Sequence, residues 1–236
     1  MRLTRRNFSA AGLSALAGPA LGASRRDVLF VGNSFTAEHN VPILFQQLAE
    51  SFGYSVSTNA IIANGAFLAD QIAEGALAKA AQSDANILIL QDHSTAALSA
   101  ENRAKSTNAF LRFGILPARK IIFETWPRQD GHPLLSKPGM PGSAREMVER
   151  TERHYLQLAP RIDADIARIG RAWMLADGIS LHRGDRYHAN LAGAWFAALI
   201  LVRTAGLTAS APPYVPDGLS TLTAKRLYQI ARMVAP

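Results

Sequence analysis

Val28-Leu29-Phe30-Val31-Gly32-Asn33-Ser34-Phe35-Thr36 decides how the chain reads. Four consecutive apolar residues, two of them Val and one Phe, make a short strand buried on both faces. Gly32-Asn33 then turns the chain. Ser34 stands where a helix opens, among backbone N–H groups that have no partner inside a helix. Working outward, apolar runs alternate with helical periodicity along the rest of the sequence. Strands are expected at about 27–31, 55–62, 86–90, 120–124 and 172–175. Helices are expected near 41–52, 68–81, 100–113, 143–158, 191–205 and 220–234. Such alternation describes one α/β domain on a parallel sheet.

A second segment sits near the other end: Asp185-Arg186-Tyr187-His188-Ala189-Asn190, with Gly193 following. Ser34 alone reads as a helix N-cap, and Asp185 alone as a loop acid capping the helix after it. Taken together they supply a nucleophile, a base and a carboxylate that orients the base. His188 would take the Ser34 proton, and Asp185 would hold the imidazole tautomer. Gly65 follows the second strand at the same sheet edge. Without a Cβ it lets a ligand approach backbone N–H groups closely.

These segments resemble the SGNH (GDSL-like) hydrolase superfamily, over residues 28 to 206. Its nucleophile lies in a Gly-Asp-Ser-x-(Thr/Ser) turn and its acid and base in Asp-x-x-His. Gly32-Asn33-Ser34-Phe35-Thr36 matches the first motif with Asn33 in place of Asp, and Asp185–His188 matches the second. The resemblance implies a flavodoxin-like three-layer α/β sandwich with a central parallel sheet of about five strands. It implies Ser34, Asp185 and His188 as the catalytic residues. The oxyanion would be held by Ser34, Gly65 and a third donor in Gln91-Asp92-His93-Ser94. The family's Gly-x-Asn-Asp is absent from that block, leaving Gln91 or, alternatively, His93. Trp126 and Tyr187 are expected to border the substrate; Trp195 is expected in the core. No cofactor is implied.

Composition bounds the rest. The chain has 236 residues and no cysteine, which excludes disulfides, a thiol nucleophile and Cys-based zinc sites. His39, His132, His154 and His182 are not at ligand spacing, so no metal site is read. Thr4-Arg5-Arg6-Asn7-Phe8 followed by a small apolar run reads as a Tat-type export signal over residues 1–23. The domain would then be 24–236, handled once by the Tat translocase, without stable membrane insertion after cleavage, and periplasmic or secreted. Removing residues 1–23 takes away Arg2, Arg5 and Arg6 and no acid, so the net charge falls from +7 to +4. The remaining Lys and Arg are scattered, with no nucleic-acid footprint.

Residues 127–142 hold four of the twelve prolines and follow a strand directly. A long connection there reads as a substrate-side loop. The expected function is an exported esterase cleaving carboxylic esters, acetyl or short acyl groups on carbohydrates among them, through an acyl-enzyme. The partner is a small-molecule or glycan ester. The rival is a non-catalytic binding protein on the same scaffold, holding a small anionic or carbohydrate ligand at the helix start after the first strand.

Overall fold

A computed structural model describes residues 25–234; the twin-arginine segment lies outside them. Five strands form one all-parallel sheet in the order β2-β1-β3-β4-β5. They are β1 Arg26–Gly32, β2 Val56–Ile62, β3 Ile87–Leu90, β4 Arg119–Phe123 and β5 Ala164–Ala167. This is the flavodoxin-like order, and the sheet reverses direction of growth between β1 and β3. The carboxyl ends of β1 and β3 meet at this switch point, and Ser34 and the Gln91–Ser94 block follow them directly.

The helices are α1 Ser34–Ala37, α2 Val41–Ser51, α3 Leu68–Ala73, α4 Ala76–Ala81, α5 Ala100–Gly114, α6 Ala144–Leu158, α7 Ile169–Leu175, α8 Leu191–Thr204 and α9 Thr221–Met233. The alternation of β1 sorts them into two layers. Val28 and Phe30 join Phe45, Leu48, Trp195 and Phe196 in one core, under α2 and α8. Leu29 and Val31 join Leu68, Ile72, Phe110, Phe113 and Tyr155 in the other, under α3, α5 and α6. Each such side chain stabilises the fold by about 1.5–3 kcal/mol on burial. Trp195 is fully buried, as expected, and its Nε1 donates to the Tyr214 carbonyl.

Helix starts follow capping chemistry. Ser99, Ser143 and Ser220 each accept a backbone N–H with the side-chain hydroxyl, and Asn190 accepts the Gly193 N–H at 3.0 Å. Each such cap is worth about 1 kcal/mol.

Two expectations are corrected. The fifth strand is Ala164–Ala167, not 172–175, which lies in α7. A four-residue apolar run fits a buried helix segment as well as a strand. The true strand is on the sheet edge, and the exposed Asp165 hides its apolar pattern. The helix expected over 68–81 is two helices, broken where Gly75 adopts φ 90°.

Candidate active site

β1 ends at Gly32 and α1 begins at Ser34, with Asn33 as its cap. Asn33 Oδ1 accepts the Phe35 N–H at 3.2 Å. Its Nδ2 donates to the Ala66 carbonyl at 3.0 Å, a bond that an ionised aspartate, which carries no hydrogen, could not make. The Asn in this turn is therefore used as an amide. Gln91 lies directly beneath. Its Oε1 accepts the Asn33 N–H at 2.8 Å and the Thr36 hydroxyl at 2.9 Å. Its Nε2 donates to Asn33 Oδ1 at 2.9 Å and to the Asp92 carbonyl. A Cβ on Gly32 would stand 2.2 Å from Thr36 Oγ1 and 2.7 Å from Gln91 Oε1. Glycine is what lets these groups meet.

The oxyanion role expected for Gln91 is thereby corrected. The side chain is fully buried. The Asn33 N–H fixes Oε1 as an acceptor, and both Nε2 hydrogens are spent. Gln91 is a brace under the Gly32–Ser34 turn and has no donor left for a ligand.

His93, two residues on, is built differently. It is half-buried and stacks on Phe67 at 4.5 Å between ring centroids. Its Nδ1 accepts the Thr95 N–H at 3.2 Å and lies 2.8 Å from Thr95 Oγ1. A neutral ring that accepts at Nδ1 carries its proton on Nε2. Burial first, and the Arg128 charge second, hold its pKa below the ordinary histidine value. Among the described residues Nε2 has no hydrogen-bond partner. The backbone N–H groups of Ser34 and Gly65 also have no partner among the described residues. Gly65 has φ +73° and open space around the place where a Cβ would stand, and the Asn33–Ala66 bond ties its loop to the nucleophile turn.

His188 comes to this turn from 154 residues away. Its Nε2 lies 3.3 Å from Ser34 Oγ, and its Nδ1 lies 2.8 Å from Asp185 Oδ2. Asp185 Oδ1 accepts the N–H groups of Tyr187 and His188, both at 2.9 Å. Partial burial pushes the Asp185 carboxyl up. The hydrogen bonds from the His188 ring and from these two N–H groups outweigh it, leaving a pKa of about 2. The loop is closed at its base by a bridge between His182 and Ala189 and by the Arg183 N–H on the His188 carbonyl at 2.8 Å. The His182 ring donates Nε2–H to the Pro127 carbonyl at 2.8 Å, and Arg183 pairs with Glu38 beside α1. Gly193, at the start of α8, lets that helix pass the Leu181 carbonyl, which a Cβ would approach to 2.3 Å.

Trp126 is a second correction. It is 0 % exposed, stacked between Phe35 at 4.3 Å and Trp173 at 5.0 Å, and its Nε1 donates to the Tyr187 carbonyl at 3.0 Å. It fixes the His188 loop to α1 and, fully enclosed, has no surface to offer a substrate. Tyr187 is half-buried, with its ring 4.0 Å from that of His188. Sequence reading missed Arg128, whose guanidinium lies 3.7 Å over the Tyr187 ring. Burial lowers its pKa, with Tyr187 opposing. No periodicity or spacing marks an arginine that follows Trp126-Pro127 as a buried one.

Solved structures share this architecture. A candidate SGNH hydrolase from Slackia heliotrinireducens is 27% identical, with 77% of this chain and 100% of that chain covered and a TM-score of 0.61. A DUF4886 family protein from Bacteroides uniformis is 17% identical, with 89% and 94% covered and a TM-score of 0.73. An acetyl xylan esterase from Geobacillus stearothermophilus is 15% identical, with 79% and 97% covered and a TM-score of 0.60. The chain thus has the α/β three-layer fold of SGNH hydrolases, the class that the order of its motifs resembles. No protein-family model and no curated protein sequence matches the chain.

Proposed function

We propose that this chain is a serine esterase of the SGNH type. The observation that carries the reading is the linear array Ser34 Oγ, His188 Nε2, His188 Nδ1, Asp185 Oδ2, with steps of 3.3 and 2.8 Å. Ser34 Oγ attacks the ester carbonyl as its proton passes to His188 Nε2. The carbonyl oxygen becomes an oxyanion held by the N–H groups of Ser34 and Gly65 and by His93 Nε2–H. Collapse expels the alcohol, which takes the proton from His188. Water, activated by the same imidazole, then releases the acid from Ser34. The likeness to acetyl xylan esterases supports acetyl or short acyl esters of carbohydrates as the substrate class.

The binding-protein reading leaned on the irregular Gln91–Ser94 block. With Gln91 as a brace and His93 as a free donor, that block fits catalysis and the rival loses its support. Ser34→Ala should fold normally and lose turnover of p-nitrophenyl acetate by at least ~10³-fold. A fluorophosphonate should add its mass to the native protein and not to this variant. Labelling of the variant at an equal rate overturns the assignment of Ser34.

The export reading stands on Thr4–Phe8. No helix among the described residues is long and apolar enough to cross a membrane. Changing Arg5 and Arg6 together to Lys should leave the precursor inside the cell; normal export of that variant refutes a Tat signal.

A further inference from the structure

Arg128 is a cation with almost no exposure and no counter-ion. The residue is 7 % exposed. Among the described residues it has no carboxylate within ion-pair distance; the nearby Asp185 is taken by His188 and two backbone N–H groups. Nη2 donates to Ser94 Oγ at 3.3 Å, and Nε is sealed from solvent with no partner. A guanidinium has five N–H donors. One is spent on Ser94, one is sealed, and the Tyr187 side chain answers part of the rest; Nη1 is not among the sealed orphans, and no carboxylate among the described residues meets it. A buried charge left this way is destabilising unless something pairs it. Stacking on Tyr187 at 3.7 Å offsets part of that cost and fixes the plane of the fork.

Its position adds the rest. On one side Arg128 lies in the wall of a cavity of about 490 Å³ lined also by Trp173, Ile179, Ser180 and His182, and by neither Ser34 nor His188. Asp130 and Asp177 also line it, and each holds a backbone N–H, of Ala144 and Gly178 respectively. On the other side Arg128 faces the Tyr187 ring, which is 4.0 Å from the ring of His188. One aromatic ring thus separates the guanidinium from the general base. A pyranose ring or a four-carbon acyl chain bridges a span of that size.

We propose that Arg128 receives a carboxylate carried by the substrate, so that the ester cleaved at Ser34 is anionic. This rests on the esterase reading and narrows it. The carboxylate takes no part in bond making; it is held end-on by the remaining Nη hydrogens, as guanidinium groups hold carboxylates elsewhere. It can sit on the acyl half, as in a dicarboxylic hemiester, or on the alcohol half, as in an acetylated uronic acid.

The test uses two matched pairs. p-Nitrophenyl hemisuccinate is compared with p-nitrophenyl butyrate, and acetylated methyl glucuronoside with acetylated methyl glucoside. In at least one pair, kcat/KM should favour the anionic member by roughly 10–100-fold, the worth of a hydrogen bond to a charged group. The pair that shows it tells which half carries the charge. Arg128→Gln should bring that ratio near one, and Arg128→Lys should keep part of it. A ratio near one in both pairs for the native enzyme, or a ratio unchanged in Arg128→Gln, overturns the proposal. Calorimetric titration of succinate and glucuronate into Ser34→Ala, with and without Arg128→Lys, reads the same site without turnover. Binding that weakens on the Lys change upholds the proposal, and equal affinities overturn it. Failure of the fluorophosphonate to label native protein refutes the esterase reading instead, and leaves the titration to decide the role of Arg128.

Discussion

The ends of β3 and β4 lie side by side, and both carry buried polar side chains. They are treated oppositely. After β3, Gln91 makes four hydrogen bonds, and Asp92 Oδ1 accepts the N–H groups of Leu68 and His93. Only Asp92 Oδ2 is left without a partner there. After β4, both carboxyl oxygens of Glu124 are sealed with no close partner among the described residues and only the Arg171 backbone N–H pulling on them. The Arg128 guanidinium reaches Ser94 and the Tyr187 side chain but, among the described residues, no carboxylate. Buried polar groups are normally satisfied, and those that are not call for a reason. The β3 end is a finished bracket that fixes the nucleophile turn before any ligand arrives. The β4 end holds polarity in reserve beside the proposed substrate.

The sharpest way to test this contrast is a pair of changes within the β3 end itself. His93→Ala should lower kcat by about 10²–10³-fold, the usual effect of removing one oxyanion donor, with little change in the urea midpoint. Gln91→Met should do the reverse in emphasis. It orphans the buried Asn33 N–H, at about 1–3 kcal/mol for each such group, and stability should fall by that order. If Gln91→Met leaves stability intact and only kcat falls, Gln91 is a donor after all and the bracket reading fails.

A smaller effect probes the β4 end. Burial first, then the charge of Glu152, raises the Glu124 carboxyl to about 8, against the opposing pull of Arg168 and Arg171. A folded-state pKa above the unfolded one means that Glu124 is harmless below about pH 4.5. Its protonated form is lost as pH rises through 8, so stability should decline across that window. Glu124→Gln should flatten the decline and be more stable than native protein at pH 9, by about 1–3 kcal/mol. Identical pH–stability curves for the two proteins would show that Glu124 ionises freely and that the two strand ends are alike.

Much of this was readable in the sequence, and the misses have physical causes. β1, β3 and β4 announce themselves because strands covered by helices on both faces become apolar runs. β5 does not, because one neighbour and partial exposure let Asp165 into it. The Ser34, Asp185 and His188 constellation was legible because each residue sits at an element boundary with its own local signal. Gln91 and Trp126 were placed correctly at strand ends but given the wrong work. Position along a strand says where a side chain starts. It does not say whether its hydrogen bonds are already taken, as for Gln91, or whether it is enclosed, as Trp126 is by Phe35 and Trp173. Arg128 was invisible for the same reason, since its burial depends on Tyr187 and Ser94, both remote in sequence.

The 154 residues between Ser34 and His188 have a temporal meaning. All five strands are parallel, so no strand pairs with another through a tight hairpin, and each crossover must close before the next contact forms. Closing the largest of these loops costs the most chain entropy, and the hydrogen bond that would activate Ser34 in the proposed mechanism belongs to that loop. A refolding chain will regain its helical signal first and its reactive serine last. Fluorophosphonate uptake is therefore a clock for the final docking of the Asp185–His188 segment, and a chain arrested earlier is silent to it however compact it has become.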